Sequence, residues 1–440
     1  MQRIRPVGMM VAAVALLCSL MVGPLLGQAG AQEQVELRVW DQFTVPEESA
    51  VADAIYGAFM EANPNVTIVR EAFSTDQMRD TVNTAISSGS GPDVIFYDAG
   101  PGYAGVLAEA GFLLPLTDYA SEFGWDERVS PPALEATTLD GVLYGMPLQT
   151  DLIGMYANKT LLDQEGLTVP TTLEEMVAFC GAAAEKGYIP IAFANNPGWS
   201  AFHQFSMTAN QNIGPEAMRD LLVNKNGRWD TPEITEAISA YFETMRDAGC
   251  FSPDANAIIY DDGTAIFYTG QALLNTTGSW IAGEIATNMP DQEVVFVPFP
   301  LIKEGNEPTW ISGVGSAYYI NAATEHPDEA AAFIDSLFSQ EAVEQWLGEA
   351  KYFVPVEFDA SAIEIDPVTA QIVTVLQEAG DSGAQFGYNI DVMTSPAFND
   401  VMLNGFQAML NGDKTAEQQA ADLQAAWEEG MPAADATPTS

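Results

Sequence analysis

The regular alternation of strand and helix patterns is the feature that most constrains the fold of this chain. Residues 35–40 (VELRVW) and 93–97 (DVIFY) are apolar runs of strand length, and amphipathic helix patterns lie between them. The same order returns at residues 171–187, which predict a helix, and at residues 189–193, which predict a strand. Strands that alternate with helices at this spacing predict an α/β fold with mostly parallel sheets flanked by helices.

Two predicted helices begin with the spacing of a capping box, Thr44 with Glu47 and Thr172 with Glu175. In this motif a hydroxyl and a carboxylate accept from free backbone N–H groups of the first turn. Further along, residues 265–278 predict a strand that leads directly into a helix near Ser279. This junction places a large indole, Trp280, where the strand becomes a helix.

The first 31 residues are typical of a secretory signal peptide. Arg3 and Arg5 precede an apolar run that ends in Ala29-Gly30-Ala31, a small-residue cleavage site. The preceding residues do not give Cys18 the usual lipid-attachment pattern, although its lipidation stays open. We therefore expect an exported protein, periplasmic or extracellular and associated with the cell envelope. No other segment is long and apolar enough to span a bilayer.

The charge balance is strongly acidic, with 61 Asp and Glu against 15 Lys and Arg. Nucleic acid is an unsuitable partner, because phosphate binding requires clusters of basic residues that this sequence lacks. The acidic residues are scattered rather than grouped, which favours a solvated surface over a dedicated site for a cation. A polyamine ligand nevertheless stays open as an alternative.

Two cysteines remain after the predicted signal peptide, Cys180 and Cys250. An exported protein can keep a disulfide, and the alternative is a pair of buried free thiols. No CxxC motif and no Cys/His spacing indicates a zinc site. We expect no metal site and no cofactor.

Aromatic and polar residues stand together at the ends of three predicted strands. Trp40 with Asp41 follows the first strand, Tyr97 with Asp98 ends the strand at 93–97, and Trp280 follows residues 275–279. The binding crevice of open α/β sheets lies beyond these strand ends. Aromatic rings stack on the apolar faces of a pyranose, and carboxylates accept hydrogen bonds from its hydroxyls. The pattern indicates a carbohydrate ligand, against the alternative that each ring is core packing.

Loops and crossing segments supply further candidates. Trp199 and His203 follow the strand at 189–193, Trp310 precedes a later strand, and Asp151 ends an extended segment at 141–151. This segment and residues 294–302 contain proline and no helical period. Both are predicted to cross between two lobes.

Five segments, in the same order, resemble extracellular solute-binding proteins of ABC transporters, the group that includes maltose-binding protein. They are residues 91–118 (GPDVIFY…LLPLTD), 139–167 (LDGVLYGMP…), 169–180 (VPTTLEEMVAFC), 270–280 (GQALLNTTGSW) and 312–337 (SGVGSAYYINAATEHPDEAAAFIDSL). The resemblance implies a two-lobe fold of the type II periplasmic-binding-protein kind, joined by hinge strands that close on a ligand. It also implies capture of a sugar or oligosaccharide and delivery to an ABC permease by a monomer that is not an enzyme.

Together, the residues and the resemblance predict a set of ligand contacts and a division of the chain. The predicted contacts are Trp40, Asp41, Tyr97, Asp98, Asp151, Trp199, His203, Trp280 and Trp310. The predicted division is a signal peptide at 1–31, lobe 1 at 32–148, lobe 2 at 149–296, a return to lobe 1 at 297–325, lobe 2 helices at 326–432 and a disordered tail at 433–440.

Two other functions stay open as alternatives. A secreted glycoside hydrolase needs two facing carboxylates, and the adjacent pair Asp261 and Asp262 precedes a glycine in what is predicted to be a turn. A ferric-ion binder is suggested by Tyr318 and Tyr319, although neighbouring side chains of a strand point to opposite faces. The sequence contains neither a GxSxG motif nor a phosphate-binding GxxxxGK[ST] motif.

Overall fold

The computed structural model describes residues 34–252, 254–356, 358, 363–382 and 386–430. The predicted signal peptide and the predicted C-terminal tail lie outside these residues. In the described part of the chain, no helix combines the length and the apolar character needed to cross a membrane.

The described residues form strands and helices in alternation. The strands are β1 (Val35–Asp41), β2 (Val66–Ala72), β3 (Val94–Asp98), β4 (Thr138–Leu139), β5 (Val142–Leu143), β6 (Gly145–Pro147), β7 (Thr150–Asn158), β8 (Ile189–Ala192), β9 (Ala272–Gly278), β10 (Val294–Val297), β11 (Ile311–Val314), β12 (Ser316–Ile320) and β13 (Gly387–Tyr388). The helices are α1 (Pro46–Ala62), α2 (Thr75–Ser87), α3 (Ala104–Glu109), α4 (Thr117–Phe123), α5 (Trp125–Arg128), α6 (Pro131–Ala136), α7 (Lys159–Glu165), α8 (Leu173–Glu185), α9 (Ser200–Ile213), α10 (Pro215–Leu222), α11 (Pro232–Ser239), α12 (Tyr260–Tyr268), α13 (Ala282–Asn288), α14 (Pro327–Ser336), α15 (Gln340–Gln345), α16 (Pro367–Ser382), α17 (Pro396–Leu410) and α18 (Ala416–Gly430). Short π turns lie at Ala240–Met245 and Trp346–Ala350, and 3₁₀ turns at Ala255–Ala257, Ser279–Ile281 and Asp391–Met393.

The first sheet has the strand order β2-β1-β3-β12-β6. Alternate residues of its strands face two separate cores, as the period of a strand requires. Phe96 and Tyr318 pack in one core with the apolar faces of α1 and α14. Tyr97 and Tyr319 pack in the other with the apolar face of α2. The sheet is therefore covered on both sides.

The second sheet has the order β13-β11-β7-β9-β8, and β10 also pairs with β7. Ile153 and Met155 of β7 face one core, whereas Leu152 and Tyr156 face the other. The strand β7 runs antiparallel to β9, β10 and β11. This differs from the predicted mostly parallel sheet, because β7 enters directly from the first sheet without a crossover helix.

The chain crosses between the sheets at two short connections of the strands. The first joins β6 to β7 through Leu148 and Gln149, within the segment predicted to cross. The second joins β11 to β12 through the single residue Gly315. The predicted crossing at 294–302 is wrong, because β10 pairs along its length with β7 and Phe299 packs in the core of the second sheet.

The predicted lobe boundaries after residue 296 therefore need correction. Residues 297–314 lie with the second sheet, and the return to the first sheet begins at Gly315. Helices α14 and α15 lie in the range predicted for the lobe 2 helices, but Phe333 and Val343 pack in a core of the first sheet. The short connection from β12 keeps these helices beside that strand. Helices α16, α17 and α18 pack on the second sheet.

Two local predictions also differ from the structure. Helix α1 begins after Val45, and no side chain caps it, so the Thr44 capping box is absent. Residues 260–268, which contain the Asp261–Asp262 pair, form α12 rather than a turn and the start of a strand. At the second predicted box, the Thr172 hydroxyl accepts from the Glu175 N–H, but the Glu175 carboxylate accepts from the backbone of Thr171.

The cysteines of the second-sheet core form a disulfide. Cys180 lies in α8 and Cys250 follows the π turn and its glycine, and both are fully buried. The bond joins positions separated by 70 residues. It therefore connects α8 to the end of the helical segment that packs beside it.

Candidate functional site

A cleft of about 280 Å³ lies between the two sheets, beside both crossings of the chain. Its lining includes Gln149 and Asp151 from the first crossing and Gly315 from the second. The strand ends and helices of both sheets supply the remaining walls. The cleft therefore lies where movement of one sheet relative to the other would open or close it.

Trp280 lines this cleft from a 3₁₀ turn that directly follows β9. Its indole Nε1 donates to the hydroxyl of Tyr260 at 2.7 Å, and this hydroxyl also pairs with Thr277 Oγ1 at 2.7 Å. The ring lies so close to Gly278 that a Cβ there would be 1.9 Å from Cζ3 of the indole. The glycine therefore permits the ring position, and the hydrogen bonds fix its orientation.

Four aromatic side chains form one continuous surface of the cleft, called here the aromatic wall: Trp199, His203, Tyr260 and Trp280. The ring centres of His203 and Trp280 are 5.2 Å apart, and those of Trp199 and Tyr260 are 4.6 Å apart. Both indoles are partly exposed, whereas His203 is buried. Burial, with the charge of Arg79, lowers the pKa of His203 to about 3, so the imidazole is neutral at pH 7.

Asp151 is held in the cleft by a network of hydrogen bonds at the first crossing. The side-chain amide of Gln149 donates to both of its carboxylate oxygens, at 3.1 and 3.0 Å, and the Ser279 hydroxyl donates at 3.3 Å. A Cβ at Gly315 would lie 2.5 Å from Asp151 Oδ2, so the close approach requires glycine. Burial raises the pKa of Asp151 to about 6, and the hydrogen bonds partly offset the increase.

Arg79 of α2 joins the two sides of the cleft. Its guanidinium forms a two-pronged ion pair with Asp98, with N–O distances of 2.8 and 3.1 Å. It also lies over the rings of Tyr103 and Trp199, at 4.7 and 5.6 Å from their centres. The Tyr103 hydroxyl in turn donates to Asp391 at 3.1 Å. Burial raises the pKa of Asp391 to about 6, and Arg79 partly offsets this increase.

Further carboxylates line the cleft from both sheets. Glu48 of α1 is buried, and Glu284 lies on α13. Burial raises the pKa of Glu48 to about 8, and the charge of Glu284 adds to the increase. Burial likewise raises the pKa of Glu284 to about 7. Asp76 and Asp261 also line the cleft, and burial raises the pKa of each.

Of the predicted contacts, Asp98, Asp151, Trp199, His203 and Trp280 line the cleft, whereas Trp40, Asp41, Tyr97 and Trp310 do not. Trp40 and Tyr97 are buried in a core of the first sheet, and the Trp40 ring packs on Phe73 at 4.7 Å. Strand β1 extends through Asp41, so the side chain beyond its end belongs to Gln42, which lines the cleft.

Asp41 and Trp310 have structural roles away from the cleft. The buried Asp41 carboxylate accepts from Arg70 at 2.6 and 2.9 Å and from the Tyr56 hydroxyl at 3.1 Å. The Trp310 ring stacks on Phe296 at 5.1 Å and covers Gly154, where a Cβ would lie 2.7 Å from the indole. These contacts place both side chains outside the lining of the cleft, in contrast to their predicted position there.

The sequence interpretation missed several residues of the cleft: Glu48, Arg79, Tyr260, Glu284, Tyr352 and Asp391. Four of them lie on helices or a helix boundary rather than at predicted strand ends. Arg79 carried one usable signal, since only 15 basic residues occur in the chain and this one lies in a helix that follows a strand of the first sheet. Nothing local distinguishes the acidic residues from the many solvated ones.

The ferric-ion alternative lacks geometric support. Tyr318 faces one core, where its hydroxyl pairs with that of Tyr56 at 2.8 Å, and Tyr319 faces the other. Among the described residues, no group of three or more His, Cys, Asp or Glu side chains is positioned to hold a metal ion.

Two helix-flanked sheets with a solute-sized cleft at the crossings define a class: an α/β binding protein with two lobes. The chain belongs to the bacterial extracellular solute-binding protein family, whose model matches residues 54–374. The family resemblance found in the sequence is therefore confirmed, as is the predicted two-lobe α/β fold class, apart from the antiparallel pairing of β7 in the second sheet.

Individual relatives agree with this family assignment. The chain is 26% identical over 317 residues to the multiple sugar-binding protein of Streptococcus mutans, covering 68% of this chain and 70% of that protein. It is 26% identical over 339 residues to the maltotriose-binding protein of Pyrococcus abyssi, covering 76% and 70%. A structure solved in work on xylan utilization by Caldanaerobius polysaccharolyticus has a TM-score of 0.80 at 24% identity, covering 89% of this chain and 99% of that chain. This last likeness shows the fold.

Proposed function

We propose that the protein is an exported binding protein that captures a sugar or oligosaccharide between its sheets and delivers it to an ABC permease. One observation carries the proposal: partly exposed indoles of Trp199 and Trp280 line the same cleft as the carboxylates of Asp98 and Asp151. Rings bind the apolar faces of a pyranose, and carboxylates accept from its hydroxyls. The sugar ligands in the names of the two curated relatives support the same class of solute.

Capture by hinge closure follows from the position of the cleft beside the crossings. The first lobe would comprise the first sheet with α1, α2, α14 and α15, and the second lobe the second sheet with α16, α17 and α18. Asp98 lies on one side, and the aromatic wall lies on the other. A ligand that contacts both sides stabilises the closed state more than the open one, and this difference shifts the equilibrium.

The proposal includes a monomer that acts in the periplasm or at the outer cell surface and that binds without chemistry. A neutral His203 suits this role, because it packs beside the indoles and carries no charge toward the solute. Incubation with neutral glycans should leave every glycosidic bond intact. Turnover of a glycan would instead favour the glycoside hydrolase alternative.

A calorimetric titration of mono- and oligosaccharides, preceded by a thermal-shift screen, tests the proposal. A bound sugar at about a hundred times its dissociation constant should stabilise the protein by about 2.7 kcal/mol. Trp280→Ala should weaken the binding at least about tenfold, a loss of about 1.4 kcal/mol. The matched control is Tyr119→Ala, which removes a partly exposed ring of α4 outside the cleft. Equal affinities of the two variants, or no saccharide binding by the native chain, would refute the proposal.

A further inference from the structure

The cleft carries far more negative than positive charge. Seven carboxylates line it: Glu48, Asp76, Asp98, Asp151, Asp261, Glu284 and Asp391. Arg79 is the one lysine or arginine in its lining, and it forms its ion pair with Asp98. In the described part of the chain, no ion pair involves any of the other six carboxylates. A neutral sugar does not require this excess of acceptors.

Three of these carboxylates line the cleft together with Tyr352, act electrostatically on its hydroxyl, and come from different elements of the fold. Glu48 lies on a helix of the first sheet, Glu284 on a helix of the second, and Asp151 at the start of β7, next to the first crossing. Burial is the largest cause that raises the pKa of the Tyr352 hydroxyl, and the charges of all three carboxylates raise this pKa further. We call Glu48, Asp151 and Glu284 the acidic corner. A cation that binds between these carboxyl groups stabilises their ionised forms, and one that contacts both walls stabilises the closed state of the cleft.

The side-chain oxygen of Gln149 gives a second, independent observation beside the acidic corner. Gln149 is 7% exposed, lines the cleft and uses its amide N–H groups on the Asp151 carboxylate. This contact fixes the orientation of the amide, because the opposite orientation would set two acceptors against each other. Among the described residues, none donates to the buried Oε1 atom of Gln149. A buried acceptor without a donor is costly, and a ligand that donates there removes the cost.

The geometry also indicates the size of cation that the acidic corner could receive. The acidic corner does not form a group that could hold a metal ion, since no three such ligands of the described chain converge closely enough. An ammonium group on a larger organic molecule fits a wider arrangement and supplies three donors. The aromatic wall in the same cleft provides rings for the body of that molecule.

We propose that the cleft prefers a sugar that carries a protonated amine, and that the acidic corner with Gln149 Oε1 receives its ammonium group. The inference rests on the proposed sugar-binding function and specifies the class of sugar. A polyamine shares the ammonium chemistry but lacks the pyranose faces that the indoles would bind. A sugar acid would be repelled by the same carboxylates.

Matched pairs of sugars test the inference by calorimetry at about pH 6.5, where the amines are charged. The pairs are glucosamine with glucose, galactosamine with galactose, and fully deacetylated chitobiose with cellobiose. Spermidine and glucuronate serve as a cation without a sugar ring and a sugar without a cation. In at least one pair the amino sugar should bind at least about tenfold more tightly than its neutral partner. Glucuronate should not bind.

Charge variants connect this preference to the acidic corner. Glu284→Gln keeps the shape of the side chain and should reduce the preference, the ratio of the two affinities within a pair, to less than about threefold. The control is Glu61→Gln, the same change at an exposed position of α1 outside the cleft. If Glu284→Gln does not fold, higher salt concentration gives a second readout, since it should weaken amino-sugar binding and spare neutral-sugar binding.

The outcomes separate the inference from the proposed function. Neutral sugars that bind as tightly as their amino partners in every pair, or tighter, would overturn the inference and leave the proposed function intact. Failure of all the sugars to bind would overturn both, and binding of spermidine alone would assign the cleft to polyamines. An amino-sugar preference unchanged by Glu284→Gln in a folded variant would overturn the role of the acidic corner.

Discussion

The indole of Trp280 lies against the backbone of Gly278, two residues earlier in the chain. A Cβ at position 278 would fall 1.9 Å from Cζ3 and 2.3 Å from Cε3 and Cη2 of the ring. The backbone of Gly278 is extended, so the glycine is required by space and not by an unusual backbone conformation. The position of this indole in the aromatic wall therefore requires that residue 278 has no side chain.

We expect Gly278→Ala to displace Trp280 and to weaken sugar binding at least about tenfold. Overpacking of this kind costs about 1–3 kcal/mol of folding free energy. Titration calorimetry and chemical denaturation measure the two effects. The control is Gly57→Ala in α1, where a Cβ meets nothing within 4 Å. That change should stabilise the helix by up to about 1 kcal/mol and leave binding unchanged. Native affinity in Gly278→Ala would contradict the role given to this contact.

Arg70→Met should destabilise the first sheet without weakening sugar binding. The substitution leaves the fully buried Asp41 carboxylate without its cation, and loss of one partner of a buried ion pair costs about 3–5 kcal/mol. Chemical denaturation measures this loss. Lys159→Met breaks the exposed pair with Asp163 and should change stability by less than about 1 kcal/mol. A large loss of sugar affinity in folded Arg70→Met would restore Asp41 as a ligand contact.

Glu48 should make the stability of the unliganded protein depend on pH. Its pKa is about 8 in the folded protein and 4.5 for an ordinary glutamate, so the folded state binds more protons between these values. Its contribution to stability therefore falls as the pH rises from 4.5 to 8, and is constant above 8. Each pKa unit corresponds to about 1.4 kcal/mol.

The variant Glu48→Gln isolates this effect, because it cannot ionise. Relative to the native protein, it should gain up to a few kcal/mol of stability between about pH 5 and pH 8. Thermal unfolding across this range measures the difference, and Glu61→Gln serves as the exposed control. A difference between Glu48→Gln and the native protein that does not vary with pH would show that Glu48 ionises normally.

Removal of the disulfide should destabilise the second sheet and its helices. The bond closes a loop of about 70 residues, for which the chain-entropy model gives about 4 kcal/mol of stabilisation. The double variant Cys180→Ala, Cys250→Ala should therefore unfold at a lower denaturant concentration than the oxidised protein. Reduction of the native protein should have a similar effect. Identical unfolding of the oxidised and reduced proteins would contradict this expectation.

The sequence predicted the elements that depend on local patterns. The strands at β1 and β3, the first crossing and the position of Trp280 after β9 follow from apolar runs and turn signals. The second crossing did not follow, because residues 294–302 and 311–320 are both extended and apolar. Strand pairing is the feature that distinguishes these two segments. Strand β10 pairs with β7 in the second sheet, whereas β11 belongs to the second sheet and β12 to the first.

Most strands and helices, and the family, could be assigned without coordinates, because they depend on periodicity and on the order of motifs along the chain. The side chains that line the cleft could not be assigned in this way, because they come from segments that only folding brings together. Successive side chains of a strand point to opposite faces, so a strand that is one residue longer presents a different side chain at its end. Strand β1 extends through Asp41, and Gln42 therefore lines the cleft where Trp40 and Asp41 were expected. The acidic corner likewise exists only because two sheets and a crossing bring together carboxylates that are distant in sequence.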